Sequence, residues 1–311
     1  MAQRRQMQSP RIVAADHHSE CVLKAERLGD SDAVLRSISE SLEHAKAHLF
    51  ERNSVVRDHE LMAEALRHGR GQIDLGQLRG ALELEQSQGT LIRSGNNLAT
   101  RESLEREQRM IATVDRGMGH FERLGRNHKF HSSERLRDEQ QRAVRQVLDS
   151  RDLAINLRGA AGTGKTATLH EIDRGLHQAG REVIAVAPTR SAVDELRKVG
   201  FHEAVTVSRL LEDSSAQTSL FGKVLVVDEA GMVLGRQMEG LLKLAEREDA
   251  RILFSGDTRQ IQSVEASDAL RILERESCMK SVSLTGVQRQ TQAEYRDAIE
   301  TLRQSSRCAA D

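Results

Sequence analysis

An α/β fold with a parallel sheet, preceded by a smaller helical module, is what this 311-residue sequence predicts. Three observations predict it. After about residue 135, short runs rich in Val, Ile and Leu (DLAINL, REVIAVA, KVLVVD, ARILFSG and KSVSL) alternate with helical stretches such as TATLHEIDRGLHQ, SAVDELRKV and RQMEGLLKLAERE. Parallel strands covered on both faces by crossover helices have this pattern. Upstream, from about Ser31, apolar residues recur at helical spacing instead. Between the first strand and the helix after it stands GAAGTGKT, a glycine-rich turn.

Taken in order, residues 1–30 read as a poorly ordered tail. Their basic residues have no apolar stretch behind them, so the middle region of a secretory signal is missing. Nor does any apolar run approach the roughly 18 residues of a spanning helix. A cytoplasmic protein without membrane insertion is expected. Amphipathic helices follow in VLRSISESLEHAKAHLF, in VVRDHELMAEALRHG, which Gly69 and Gly71 stop, and in DLGQLRGALEL. GTLIRSGNNLAT then flanks the turn-forming Gly95-Asn96-Asn97 with two short segments, as a hairpin does. Three helices and a hairpin predict a winged-helix-like module over 31–130, which also takes in the charged helix ATRESLEREQRMIATVDRG. The boundary falls in GHFERLGRNHKFHSSERL, with its two glycines and several polar residues, near Arg126 to Ser133, and 131–311 forms the α/β domain.

Composition agrees with two folded domains. With 38% hydrophobic and 30% charged residues the chain is too apolar for disorder, and with 2% aromatics its cores must be built from aliphatic side chains and Ala. Cys21, Cys278 and Cys308 are odd in number and lack CxxC spacing, which argues against a disulfide framework and a zinc cage. The formal charge of −1 does not by itself predict a nucleic-acid partner.

Three motifs carry chemistry. GAAGTGKT, residues 159–166, satisfies GxxxxGK[ST] between a strand and a helix, the pattern of a P-loop. Its backbone, from Gly159, Ala160, Ala161, Gly162, Thr163 and Gly164 on through Ala167, would cradle the phosphates of ATP. Lys165 would reach the β and γ phosphates and the Thr166 hydroxyl would hold Mg²⁺. KVLVVDEAG is an apolar strand ending in two acids. Asp228 would hold Mg²⁺ through its water shell, and Glu229 would deprotonate the attacking water. In FSGDTRQIQ another strand tip offers Asp257 and Gln260 to the γ-phosphate or its water.

Taken in order, these motifs resemble superfamily 1 DNA helicases of the RecD-like group, whose motor is a RecA-like P-loop NTPase domain. LRDEQQRAV is similar to that family's adenine-recognising segment and implies that role for Gln140. VAPTRSA and TVSRLL resemble its contacts to single-stranded DNA, implicating Pro188, Thr189, Arg190 and Thr206. VQRQ resembles the motif whose arginine, here Arg289, reaches the γ-phosphate. Upstream, HLFERNSVVRDHELMAEALRHGRG and TRESLEREQRMI are similar to the segment joining relaxase to helicase in MobF-class conjugative relaxase-helicases. That implies a link to the conjugative transfer machinery. The chain departs from that class in having a single tyrosine, Tyr295, where a relaxase needs tyrosine nucleophiles and a histidine cluster. It also stops soon after VQRQ, before a second RecA-like domain. The expectation is an incomplete helicase that binds ATP and Mg²⁺ but does not unwind duplex alone. A DNA-binding or interaction module with an idle P-loop and an oligomeric P-loop ATPase are the alternatives.

Overall fold

A computed structural model describes residues 35–126, 130–160, 162–257 and 268–286; the tail expected at 1–30 lies outside them, as do Cys21 and Cys308. Contacts divide the chain into two units. Of the described residues, the first holds those up to Leu49 and Val55–Leu98, and the second holds Phe50–Ser54 and those from Ala99 onward.

The first unit runs α1 (35–50), β1 (Val56–Arg57), α2 (Asp58–His68), α3 (Leu75–Gln88), β2 (Leu91–Ser94) and β3 (Asn97–Thr100), with strand order β1-β3-β2. Its helices begin and end where local chemistry dictates. The Asp74 carboxylate accepts Gln77 N–H at 2.9 Å while the Gln77 amide oxygen accepts Asp74 N–H at 3.0 Å, a reciprocal cap that starts α3. Gly89, at φ 72°, ends it. Ile38, Leu42, Leu61, Leu78, Leu82, Leu91 and Leu98 form the buried interior. Val56, expected to open a helix, lies instead in β1 opposite Leu98. It is buried there, and a β-branched residue gains more from that pairing than from a frayed first turn.

The second unit is built on six strands in the order β6-β5-β7-β8-β4-β9, and every pairing in it is parallel. They are β4 (Ala154–Gly159), β5 (Val183–Ala187), β6 (Val205–Thr206), β7 (Val224–Val227), β8 (Arg251–Gly256) and β9 (Lys280–Leu284). All five apolar runs named above are strands; β6 is a sixth, too short to leave a run. Helices α5 (Asp138–Leu148), α6 (Lys165–Gln178) and α7 (Arg190–Lys198) pack one face, with α8 (Val207–Glu212), α10 (Gly235–Arg247) and α11 (Ala269–Glu276) on the other; α9 (Ser214–Thr218) adjoins α8. Alternation along a strand sorts the side chains. Val224 and Val226 join the core of α5–α7, whereas Leu225 and Val227 join that of α10 and α11.

Helix α4 (Arg101–Arg116) belongs by its contacts to the sheet-containing unit, whose main segment begins at Ala99. Met110 and Val114 share a core with Met238, Leu241 and Leu242 of α10. Arg109 pairs with Glu239 at 2.7 Å and Arg116 with Glu246 at 2.9 Å. What reads as a surface helix from its charges is held by an apolar stripe and complementary charges on a partner far away in sequence.

At the N-terminal ends of the strands, Arg251 is buried at 3% exposure. Its guanidinium donates to Asp152 O at 2.8 Å, Glu122 O at 2.7 Å and Ser150 O at 3.0 Å, tying two loops to the start of β8. Burial, with Arg181 nearby, pulls its pKa down to about 10.

Candidate nucleotide site

Parallel strands end together, so the sheet brings the tips of β4, β5, β7 and β8 to one edge. That edge is where ligands bind in open α/β sheets. Gly159 closes β4, Asp228 and Glu229 follow β7, Asp257 follows β8, and Pro188 and Thr189 follow β5. Strand β8 lies between β4 and β7, which sets the glycine-rich loop and the paired acids one strand apart. Thr206 ends β6 at the far side of the same edge, and its hydroxyl accepts Arg209 N–H at the start of α8.

The loop after β4 has the backbone of an anion cradle. Gly162 lies at φ 79° and Gly164 at φ 88°, a left-handed conformation that glycine alone adopts without strain. Gly164 then caps α6, whose N-terminal amides and dipole favour negative charge at this spot. Thr163 is fully buried, and its hydroxyl donates to Ala160 O at 2.8 Å, closing the loop on itself. Lys165 Nζ donates to Gly159 O at 2.6 Å, so the cation is folded over the loop. Thr166 and Ala167, on the first turn of α6, are exposed. Ala161 lies outside the described residues.

Between the acids, Ser255 donates to Asp228 Oδ1 at 2.7 Å and fixes that carboxylate at the tip of β7. Glu229 is exposed and sits at φ 50°, ψ 36°, left-handed for a residue that has a Cβ. Such a conformation costs of order 1–3 kcal/mol and gathers at functional positions. A Cβ on Gly256 would come within 3.1 Å of Gly231 N, so the end of β8 packs closely on the turn that carries the acids. The residues therefore fit a phosphate chain with its magnesium: an amide-lined turn, a cation across it, a hydroxyl at Thr166 and a fixed carboxylate one strand away.

Gln140 is fully buried on the first turn of α5. Its Oε1 accepts Arg137 N–H at 3.1 Å, while its Nε2 donates to Gly164 O and Thr168 Oγ1, each at 3.2 Å. It thus supports the loop from behind. At β5 the Thr189 hydroxyl caps α7 through Ala192 N–H, leaving Arg190 exposed on its first turn. Gln260 and Arg289 lie outside the described residues.

Sequence reasoning missed three polar residues. Ser255 stands in the FSGD run, and a hydroxyl two positions before the strand-tip Asp257 was a readable signal. Arg137 and Glu139 precede Gln140 at the start of α5. Arg137 Nη2 donates to Thr163 O at 2.9 Å, and Glu139 accepts from Thr285 N and Oγ1 at 2.5 and 2.6 Å. Burial pushes the Glu139 carboxyl up, but those bonds, the Gly286 N–H and the Arg137 charge outweigh it and hold it below the usual range.

A family model for the AAA domain matches residues 135–310, more than half of the chain and all of the site just described. The chain belongs to the AAA domain family. Its relatives agree with the RecD-like, conjugative-helicase resemblance of the motifs. The conjugal transfer protein TraA of Rhizobium radiobacter is 34% identical over 146 residues, covering 46% of this chain and 13% of TraA. The multifunctional conjugation protein TraI of Escherichia coli K12 is 28% identical over 179 residues, 54% of this chain and 10% of TraI. The ATP-dependent RecD2 DNA helicase of Deinococcus radiodurans is 33% identical over 159 residues, 49% of this chain and 22% of RecD2. The AAA-domain chain thus spans a small part of each relative's length. Among its described residues no helix is long and apolar enough to cross a membrane.

Proposed function

We propose that the chain carries an ATP-binding and ATP-hydrolysing motor domain of the DNA helicase type that acts on single-stranded DNA in the conjugative setting of TraA and TraI. One observation carries the reading: a Lys165-bearing amide cradle and the Asp228–Glu229 tip meet at one sheet edge, a strand apart. The catalytic domain begins near residue 131. Helix α4 packs against that domain's sheet, and the order helix, strand, helix, helix, hairpin upstream supports reading residues 31–130 as a winged-helix-like module.

In this reading the residues divide the work. The Gly159–Ala167 backbone and Lys165 bind and orient the β and γ phosphates. Thr166 and Asp228 would hold Mg²⁺, which when bound neutralises phosphate charge. Glu229, exposed at the tip, takes the proton of the attacking water. Gln260 would sense the γ-phosphate and Arg289 would meet its developing charge, while Pro188, Thr189, Arg190 and Thr206 would face single-stranded DNA. Gln140 reaches adenine only by leaving the bonds that now support Gly164. The protein works in the cytoplasm.

The test is ATP turnover with and without single-stranded DNA. Stimulation is expected. Nucleotide binding without turnover would point to an idle domain in an interaction module, and turnover rising with protein concentration would point to an oligomeric ATPase.

A further inference from the structure

The first turn of α5 does more than carry Gln140. Arg137 Nη2 donates to two carbonyls, Thr163 O at 2.9 Å in the glycine-rich loop and Gly286 O at 3.1 Å just past β9. Glu139 holds the second of these in place by accepting Thr285 N–H and Oγ1–H and, at 3.2 Å, Gly286 N–H. Gln140 holds the next loop carbonyl, Gly164 O, together with the Thr168 hydroxyl at 3.0 Å.

Of the three, Thr163 O and Gly164 O belong to the glycine-rich loop, and their peptide planes set its amides. In a trans peptide the C=O of one residue and the N–H of the next point in opposite directions. Drawing Thr163 O and Gly164 O toward α5 therefore aims the amides of Gly164 and Lys165 away from it, into the cradle. We propose that Arg137 is a positioning residue for the phosphate cradle, orienting the Gly164 amide through Thr163 O and locking the cradle to the end of β9 through Gly286 O. Gly286 is part of the device. A Cβ there would fall on the Arg137 guanidinium, so the approach requires glycine. Glu139 serves the same lock from the other side, by fixing the strand end against which Arg137 is braced.

The proposal rests on the nucleotide reading of the site, and the experiment separates the two. Calorimetric titration of the full chain with Mg-ADP is run on wild type, Lys165→Ala, Arg137→Ala, Arg137→Lys, Gly286→Ala and the Arg137→Ala/Gly286→Ala pair, with unfolding midpoints measured alongside. Losing a charged hydrogen bond that orients the cradle should weaken ADP about tenfold in Arg137→Ala. Lysine should recover part of that, since its ammonium can reach a carbonyl without the fork geometry. Gly286→Ala should weaken ADP about as much, and the double variant no further, because both remove one lock. A general folding defect would instead add in the double variant and follow the unfolding midpoint. Absence of ADP binding by wild type overturns the site reading and the proposal with it. Weakened binding in Lys165→Ala beside wild-type affinity in Arg137→Ala, or additive losses in the pair, overturns the proposal alone. Should Arg137→Ala not fold, Arg137→Lys and Gly286→Ala carry the same comparison.

Discussion

Replacing Gly159 by alanine isolates sterics from backbone conformation. Gly159 ends β4 and is not among the left-handed glycines, so alanine meets no φ penalty there. Its Cβ, however, would stand 2.6 Å from Thr163 Oγ1, 3.0 Å from Lys165 Cγ and 3.2 Å from Leu284 Cβ. The first approach is about 0.8 Å inside ordinary van der Waals contact. Thr163 cannot yield, being fully buried and bonded to Ala160 O, and Leu284 is buried in β9. Lys165 is the group free to swing, and it loses its bond to Gly159 O when it does. Overpacking of this kind costs about 1–3 kcal/mol, which in a domain of this size lowers Tm by roughly 2–12 °C. Displacement of the lysine should weaken ATP about tenfold or more, on the scale of a lost charged hydrogen bond. Thermal unfolding and an ATP titration read both effects. Wild-type Tm together with wild-type affinity would refute the packing argument.

Two further substitutions test other parts of the fold. Burial pushes the Glu107 carboxyl above its usual range, with Asp268 adding to it against Ser54 and Arg106, and its Oε1 is buried without a hydrogen-bond partner. The unfolded chain therefore loses this proton first, so the group's contribution is full below the ordinary glutamate range and is lost as pH rises through the raised value. Glu107→Gln should raise Tm at neutral pH and lose its advantage below about pH 4, the ordinary glutamate range; an equal effect at both pH values would contradict the burial argument. Arg251→Met strips the donor from Asp152 O, Glu122 O and Ser150 O at the end of the sheet opposite the site. It should cost about 3–5 kcal/mol in urea unfolding with nucleotide affinity unchanged, and a small loss of stability would mean that desolvation of the charge had offset those bonds.

The central strands were legible because cover on both faces makes them read as apolar runs, VLVV of β7 being buried at every position, whereas edge strand β9 was legible through the buried Val282 and Leu284 that alternate with its exposed serines. The glycine-rich loop was legible because its backbone is left-handed at Gly162 and Gly164, and few residue types satisfy that geometry. Helix α4 was not assigned to its unit, because its partner α10 is some 130 positions away in sequence and charge pattern alone reads as solvent-facing. Val56 was read as helical because its pairing with Leu98 is equally remote from local propensity. Arg137 and Glu139 escaped notice for a related reason. Both act through carbonyls and amides of other segments, and a backbone partner has no side-chain signature to search for.

The central claim is that Lys165 binds the phosphates and Glu229 activates water at the edge where β4 and β7 end. Its most direct test is to measure ATP affinity and phosphate release side by side for wild type, Lys165→Ala and Glu229→Gln. Lys165→Ala should lose binding. Glu229→Gln keeps shape but removes the base, so it should bind ATP as wild type does while release falls about 10²-fold or more. Wild-type affinity in Lys165→Ala, or release at the wild-type rate in Glu229→Gln, would contradict the account.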